Sequence, residues 1–128
     1  MLATGTIKFN SLDEKTSQDT KLTRSVVCNH YDGDIEARST FECLLYYPDR
    51  AAASFVGLEH LVGKLGGKVG GFILQHIGTF HGNKSETRLN VLAGSGTGEL
   101  CGIKGHGIAV WSGISGDPSH VTLEYNFD

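Results

Sequence analysis

The sequence has little of several features that would assign a class of protein at once. Its 14 acidic and 11 basic side chains give a formal net charge of -3, and they form no basic stripe that would attract phosphate backbones. No segment reaches the length of apolar sequence that spans a bilayer, and the first residues lack the charged and apolar regions of a secretion signal. We therefore expect a cytoplasmic protein with neither a nucleic-acid partner nor a membrane span.

Cysteine and metal-binding patterns are also scarce. The three cysteines, Cys28, Cys43 and Cys101, are widely spaced and form no C-x-x-C pair, which argues against a disulfide framework and a zinc ribbon. Each lies in an apolar alternating stretch, so we expect free thiols buried as small hydrophobic groups. The six histidines form no H-x-H or H-E-x-x-H pattern, and only a cross-strand pair such as His60 with His76 would bring two of them together. No metal and no cofactor is predicted.

Proline occurs only twice whereas glycine occurs 18 times, a balance that favours strands interrupted by tight turns and bulges. Alternating polar and apolar residues between turn signals predict eight strands. Their ranges are 2–9, 21–31, 35–47, 52–65, 68–81, 84–93, 99–111 and 119–127, with a polar connection at 11–20 and a glycine-rich turn at 94–98. No segment has a sustained apolar repeat at helical spacing.

Eight antiparallel strands in sequence order, joined mostly by short turns, lose their exposed edges when they close into an up-and-down barrel. A chain of 128 residues is within the size range of one domain and buries a core without disulfides. The sequence therefore predicts a single all-β domain over residues 1–128, an eight-stranded antiparallel barrel with little helix.

Several segments carry a resemblance to a known family: FVGLE at 55–59, GGKVGGF at 66–72 running into QHIGTF at 75–80, and GSGTGEL at 94–100. With them the chain resembles, over almost its whole length, a bacterial family of small proteins of unknown function that is grouped with the allene-oxide-cyclase-like and dirigent-like β-barrels. The resemblance implies an eight-stranded barrel, often assembled as an oligomer. It implies no agreed activity, and this chain matches no cyclase catalytic set.

Polar residues interrupt two otherwise apolar predicted strands. Glu59 and His60 are neighbours in the strand at 52–65, and Gln75 and His76 are neighbours in the strand at 68–81. Because adjacent side chains on a strand leave opposite faces, one member of each pair must point into the barrel. A carboxylate there would have its pKa raised by desolvation, and a histidine or glutamine across the strand gap would orient it as a general acid or base.

The catalytic candidates are therefore Glu59 and His76, and the alternative explanation for them is a hydrogen-bonded plug inside a packed barrel or an oligomer contact. The candidate ligand-binding residues are His60, Gln75, Phe55, Tyr47 and Tyr125. The predicted function is binding of a small apolar or amphipathic ligand, or an oligomeric scaffold. The alternative is a cofactor-free isomerase or hydrolase that uses Glu59, including carboxylate-dependent, aspartic-peptidase-like chemistry, although no Asp-Thr-Gly or Asp-Ser-Gly triplet occurs.

The strands at 52–65 and 68–81 are apolar on both faces. The sequence places Phe55, Leu61, Ile73 and Ile77 on one face and Val56, Leu58, Val62, Phe72, Leu74 and Phe80 on the other. A barrel needs only one apolar face for its interior. We therefore expect the second face to pack against another copy of the chain in a homo-oligomer, most simply a dimer.

Overall fold

The computed structural model describes residues 1–16, 22–49, 51–112 and 119–128, with the side chains of residues 10–16 excepted. The described residues form nine strands and no helix, and so none of them belongs to a helix that would cross a bilayer. The strands are β1 Leu2–Thr16, β2 Leu22–Gly33, β3 Ile35–Tyr46, β4 Ala52–Leu65, β5 Lys68–His81, β6 Lys84–Val91, β7 Thr97–Gly98, β8 Ile103–Ser112 and β9 Ser119–Phe127.

Eight of these strands close into a barrel, as predicted. The strand order is β4-β3-β2-β1-β9-β8-β6-β5, and β4 also pairs with β5, which closes the ring. Every pairing is antiparallel, and strands that follow one another in the ring also follow one another along the chain. The topology is therefore up-and-down. The two-residue strand β7 pairs with Gly70 and Gly71 near the start of β5 and is additional to the ring. Closure pairs every strand of the ring on both sides, although β1 pairs with β9 only over residues 2–7.

Most predicted strand ends lie within two residues of the observed ones, but two boundaries differ by more. Strand β1 continues through Thr16, because a register shift between Phe9 and Ser11 inserts one extra residue and pairing with β2 then resumes. The described part of the predicted 11–20 loop is therefore strand, and residues 17–20 lie outside the described ranges. Strand β8 begins at Ile103 instead of residue 99, because residues 99–102 form a turn with Gly98 and Gly102 at φ of 60° and 84°.

The inward-facing side chains at one end of the barrel form the apolar core. This end holds the β2–β3, β4–β5 and β6–β8 connections, and the last of these contributes Leu100 to the core. The largest core side chains are Tyr31, Ile35, Leu61, Leu65, Phe72, Leu74, Leu89, Leu100, Ile103, Leu123 and Tyr125. Toward the other end the buried inward positions are smaller and more polar, as at Thr23, Ser25 and Ser119.

The predicted grouping of residues on the faces of β4 and β5 was wrong. The register pairs Leu61 with Phe72, so odd-numbered residues of β4 share a face with even-numbered residues of β5. Phe55, Leu61, Phe72 and Leu74 are therefore all buried. The outward apolar residues are Ile73, which is half-buried, and Val56, Leu58, Val62, Val69 and Ile77, which are about half exposed. The outer face of β4 and β5 is therefore apolar, as predicted, but different residues form it.

The three thiols occupy different environments. Cys43 is buried on the inner face of β3 and Cys28 is half-buried, whereas Cys101 is exposed. The expectation of burial was wrong for Cys101 because the residue lies in the 99–102 turn rather than in a strand. None of the three forms a disulfide.

Candidate functional site

The central polar feature of the barrel interior is the carboxylate of Glu59, which lies in the middle of β4 and is fully buried. The hydroxyl of Tyr31 donates to both carboxylate oxygens, at 2.8 Å from Oε1 and 2.7 Å from Oε2. Ser39 Oγ donates to Oε2 at 2.5 Å, and Asn29 Nδ2 donates to the same oxygen at 3.3 Å. His76 Nε2 lies 2.7 Å from Oε1. We call these five residues the Glu59 cluster.

The register of four neighbouring strands assembles this cluster. Asn29 of β2 pairs directly with Ser39 of β3, and Tyr31 follows two residues later on the same inner face of β2. Glu59 faces inward from β4, and His76 faces inward from β5 two rungs of the ladder away from it. The imidazole also reaches β6, where Thr87 Oγ1 lies 3.5 Å from Nδ1. Five consecutive strands thus meet at one carboxylate and one imidazole.

The environment makes Glu59 an anion and Tyr31 a neutral donor. Burial alone raises the pKa of Glu59, but the hydrogen bond and charge of His76, followed by the hydrogen bonds of Ser39 and Tyr31, together lower it below its usual value. The expected raised pKa of Glu59 is therefore wrong, because several donors outweigh desolvation. Burial and the adjacent carboxylate raise the pKa of Tyr31 well above its usual value.

Aromatic rings fill the interior beside the cluster. The ring of Phe41 stacks on the imidazole of His76, with centroids 4.2 Å apart and planes at 31°. A Cβ added to Gly57 would lie 2.6 Å from Cε1 of Phe41, and one added to Gly78 would lie 2.7 Å from Cζ of Phe55. The two phenyl rings thus occupy the space that side chains at those glycines would need. Among the described residues, no buried side-chain nitrogen or oxygen lacks a hydrogen-bond partner.

The structure brings together only part of the predicted site. Glu59 and His76 are in contact, and Phe55 lies on the same inner face. His60 and Gln75 face outward, where they pair with Ile73 and Leu58 respectively. His60 and His76, the cross-strand pair that a metal site would have required, do not come together, because the two side chains leave opposite faces of the sheet.

The two predicted tyrosines lie elsewhere. Tyr125 is buried at the apolar end of the barrel, with its ring edge-on to Phe127 at 5.9 Å. Tyr47 is half-buried and directly follows β3. The prediction also missed Asn29 and Tyr31 as partners of the carboxylate. Strand alternation places Ser39 on the inner face of β3, but the sequence does not show which β2 residues lie opposite it.

A second candidate site lies on the outer surface of the barrel. A groove of about 790 Å³ extends from Leu22 at the start of β2 across the outer faces of β3, β4, β5 and β6, and we call it the outer groove. Its aliphatic lining includes Leu44, Val56 and Ile77, and its charged lining is Glu86 and Arg88. The aliphatic side chains are 50%, 52% and 51% exposed, although each is large enough to occupy a core position.

The groove follows one transverse row of cross-strand pairs. Arg24 pairs with Leu44, Leu44 with Val56, Val56 with Ile77, and Ile77 with Arg88. We call these five residues the outer row. An arginine thus stands at each end of three adjacent aliphatic side chains. Pairs of this kind have their side chains within contact distance of each other, so the aliphatic surface is continuous.

The fold and the two sites define a closed antiparallel β-barrel with a buried anionic cluster and an uncovered apolar groove on its outer face. The chain belongs to the DUF3224 family of proteins of unknown function, whose sequence profile matches residues 3–125. It is similar to the solved structure of a DUF3224-family protein of unknown function from Shewanella oneidensis MR-1, with 28% sequence identity and a TM-score of 0.82. That likeness covers 100% of this chain and 97% of the other. No curated protein matches the sequence. Membership of a family of unknown function, predicted from the sequence, is confirmed.

Proposed function

We propose that this protein binds small amphipathic molecules and that the outer groove is the binding site. The observation that carries the proposal is a groove of about 790 Å³ with half-exposed aliphatic side chains along it. Sites for small molecules are typically about 300–1,000 Å³ in volume, mostly apolar, and furnished with a few polar groups that fix orientation. Leu44, Val56 and Ile77 supply the apolar part, and Thr79, Glu86 and Arg88 supply the polar part.

The barrel interior offers less support for ligand binding. The carboxylate of Glu59 already accepts hydrogen bonds from four side chains, and the ring of Phe41 covers the imidazole of His76. A ligand entering there would have to displace aromatic rings and also break hydrogen bonds to a buried charge, which is costly. A ligand in the outer groove displaces only water from apolar surface, which is favourable.

A neutral, polarity-sensitive naphthylamine dye tests the proposal. We expect its fluorescence to increase on titration into the protein, with a dissociation constant on the order of micromolar. Ile77→Asp should weaken binding at least tenfold, by roughly the cost of placing a charge against the apolar part of the dye. Val62→Asp is the matched control, because Val62 is 55% exposed on the outer face of β4 but does not line the groove.

Two outcomes would contradict the proposal. The first is that the wild-type protein does not bind the dye. The second is that Val62→Asp and Ile77→Asp weaken binding equally, which would indicate nonspecific adsorption to apolar surface. Circular dichroism and urea unfolding of both variants establish that they are folded when binding is measured.

A second copy of the chain is the rival occupant of this face. The predicted homo-oligomer would cover the same aliphatic residues that the ligand is proposed to cover. Sedimentation velocity at micromolar concentration distinguishes the two occupants. A wild-type dimer that Ile77→Asp dissociates, with no dye binding in either protein, would assign the groove to an interface. A monomeric wild-type protein would refute the predicted oligomer.

An acid–base enzyme centred on Glu59 is the second candidate function. The observation that favours it is the 2.7 Å contact between the buried carboxylate and His76, which resembles the carboxylate–imidazole pairs of general-base catalysis. In this candidate Glu59 orients the imidazole, and Nδ1, which has only a 3.5 Å contact to Thr87, exchanges the proton. The proposed likeness to allene-oxide-cyclase-like barrels is part of this enzymatic candidate, since a cyclase is an enzyme. An isomerase or hydrolase activity present in the wild type and lost in folded Glu59→Gln would support it.

We also propose a cytoplasmic location. None of the three cysteines forms a disulfide, and Cys101 is exposed to solvent. Free exposed thiols persist in the reducing cytosol and are uncommon in oxidising compartments. Fractionation of cells that produce the protein at native level would test this location.

A further inference from the structure

We infer that the molecule bound in the outer groove carries an anionic head group and that Arg88 binds this head. This inference rests on the proposed function and names the chemistry of its ligand. The evidence is a comparison between the two arginines that end the outer row. The experiment separates failure of the inference from failure of ligand binding.

The two arginines differ in whether their charge is neutralised. Arg24 NH2 lies 3.2 Å from Oε1 of Glu42, so this guanidinium already has a carboxylate partner. Within the described ranges, no acidic side chain lies within 4.0 Å of the guanidinium of Arg88. Arg88 lines the groove, whereas Arg24 does not. Arg88, the arginine of the outer row that has no carboxylate partner among the described residues, is thus the one that lines the groove.

The surroundings of Arg88 favour an anion over a cation. Its cross-strand neighbours are Ile77 and Ile108, so aliphatic groups flank it on both sides. Lys84, Glu86 and Arg88 share the outer face of β6, and of these Glu86 and Arg88 line the groove with one charge of each sign. Glu86 belongs to the next transverse row, opposite Thr79 and Val110. A guanidinium presents a planar set of donors that matches the two oxygens of a carboxylate, sulfate or phosphate.

The geometry of the row also limits the length of the tail. Leu44 and Arg88 lie on strands three spacings apart, which corresponds to about 14 Å at about 4.8 Å per spacing. An extended alkyl chain of about ten carbons therefore reaches from a head group at Arg88 to Leu44. Shorter chains would leave part of the aliphatic row in water, and longer chains would extend past it. The inferred ligand is a single-chain amphiphile with an oxyanion head.

A competition series tests the head group. Decanoate, decyl sulfate, decanol and decyltrimethylammonium, each below its micellar concentration, compete with the neutral naphthylamine dye for the groove. We expect decanoate and decyl sulfate to bind about tenfold or more tightly than decanol, since a hydrogen bond to a charged group contributes about that factor. Decyltrimethylammonium should bind most weakly. Among carboxylates, affinity should rise about two- to fourfold per methylene and level off near ten carbons.

Matched variants assign the effect to one side chain. Arg88→Gln should weaken decanoate about tenfold and leave decanol within about twofold, because only the head loses its partner. Arg24→Gln is the control, since Arg24 ends the same row but already pairs with Glu42. It should leave both affinities within about twofold. Raising the salt concentration should weaken decanoate binding in the wild type and have little effect in Arg88→Gln.

The outcomes separate the two claims. If neither the dye nor any amphiphile binds the wild-type protein, the proposed function fails and the inference fails with it. If the dye and decanol bind as tightly as decanoate, or if Arg88→Gln changes nothing, the inference alone is overturned. If the protein cosediments with phosphatidylglycerol vesicles while monomeric decanoate does not compete with the dye, the occupant is a membrane surface and the inference of a single amphiphile is wrong.

Discussion

Two adjacent rungs of the β4–β5 ladder show how differently the inner and outer faces of this barrel are completed. The rung of Gly57 and His76 faces inward, where the imidazole contacts a carboxylate, a hydroxyl and a phenyl ring. The next rung, Val56 and Ile77, faces outward, and both side chains are about half exposed. The inner face already has its partners within the chain. On the outer face, no other part of the described chain covers the exposed halves of these aliphatic side chains.

The same contrast applies to the charged groups. Glu59 is buried, yet four side chains donate to its carboxylate. Arg88 is exposed in the outer groove, and no carboxylate among the described residues neutralises it. A buried charge with a full set of partners is what a stable fold requires. A cation beside uncovered aliphatic surface can bind an anionic partner, and this supports the proposal that the ligand binds on the outer face.

The largest effect is expected from removing the buried anion. Glu59→Ala leaves the donors of Tyr31, Ser39 and His76 without their acceptor and opens a cavity among them. We expect the free energy of unfolding to fall by about 3–5 kcal/mol, as measured by urea denaturation. Glu59→Gln keeps the volume and one acceptor oxygen, so its cost should be smaller, about 1–3 kcal/mol.

Val56→Ala supplies the outer-face control for that experiment. Val56 is 52% exposed, and its truncation should cost less than about 1 kcal/mol. A Glu59→Ala variant that loses no more stability than Val56→Ala would show that the two faces do not differ as described. The cluster would then be a weakly coupled group of polar side chains.

A smaller effect is expected from adding one methyl group to the inner face. The Cβ of Gly57→Ala would meet the backbone oxygen of Glu42 most closely and would lie 2.6 Å from Cε1 of Phe41 and 2.7 Å from Cβ of Cys43, so neighbouring groups must shift. We expect a loss of about 1–3 kcal/mol in the free energy of unfolding. Leu58→Ala, one residue along on the outer face, should cost less than about 1 kcal/mol. If Gly57→Ala unfolds at the same urea concentration as wild type, the interior beside His76 is not tightly packed.

Much of the barrel could be predicted from strand alternation and turn residues. The bounds 52–65, 68–81 and 119–127 agree with the observed strands β4, β5 and β9. Alternation also gives the inner face of β3, from Ile35 to Cys43. These predictions succeed because a strand has a fixed period of two and because glycines mark the turns. The missed start of β8 lies where glycines serve a turn within an otherwise strand-like run.

The candidate site was less predictable because it depends on register between strands. The sequence shows that either Glu59 or His60 faces inward, but the register decides that Phe72 and Leu74 share that face. The partnership of Glu59 with Tyr31 joins residues 28 positions apart, and no local pattern records it. A one-residue change of register reverses every side chain of a strand, so facing residues on different strands require the structure.

The smallest effect is expected in the pH dependence of stability, where the pKa of Glu59 gives the sign. Because this pKa is below its usual value in the folded protein, the unfolded chain takes up a proton first as the solution is acidified. The contribution of Glu59 to stability is therefore complete above about pH 5 and decreases as the pH falls through the usual pKa of about 4.3 and below. Urea unfolding from pH 7 to pH 3 should show the difference between wild type and Glu59→Gln shrinking on acidification. Glu42→Gln, which removes an exposed partner of Arg24, should differ little from wild type at any pH. A wild-type advantage over Glu59→Gln that stays constant down to pH 3 would contradict an ionised Glu59, and the inner face would then hold a neutral carboxyl group in place of the anion that distinguishes it from the outer face.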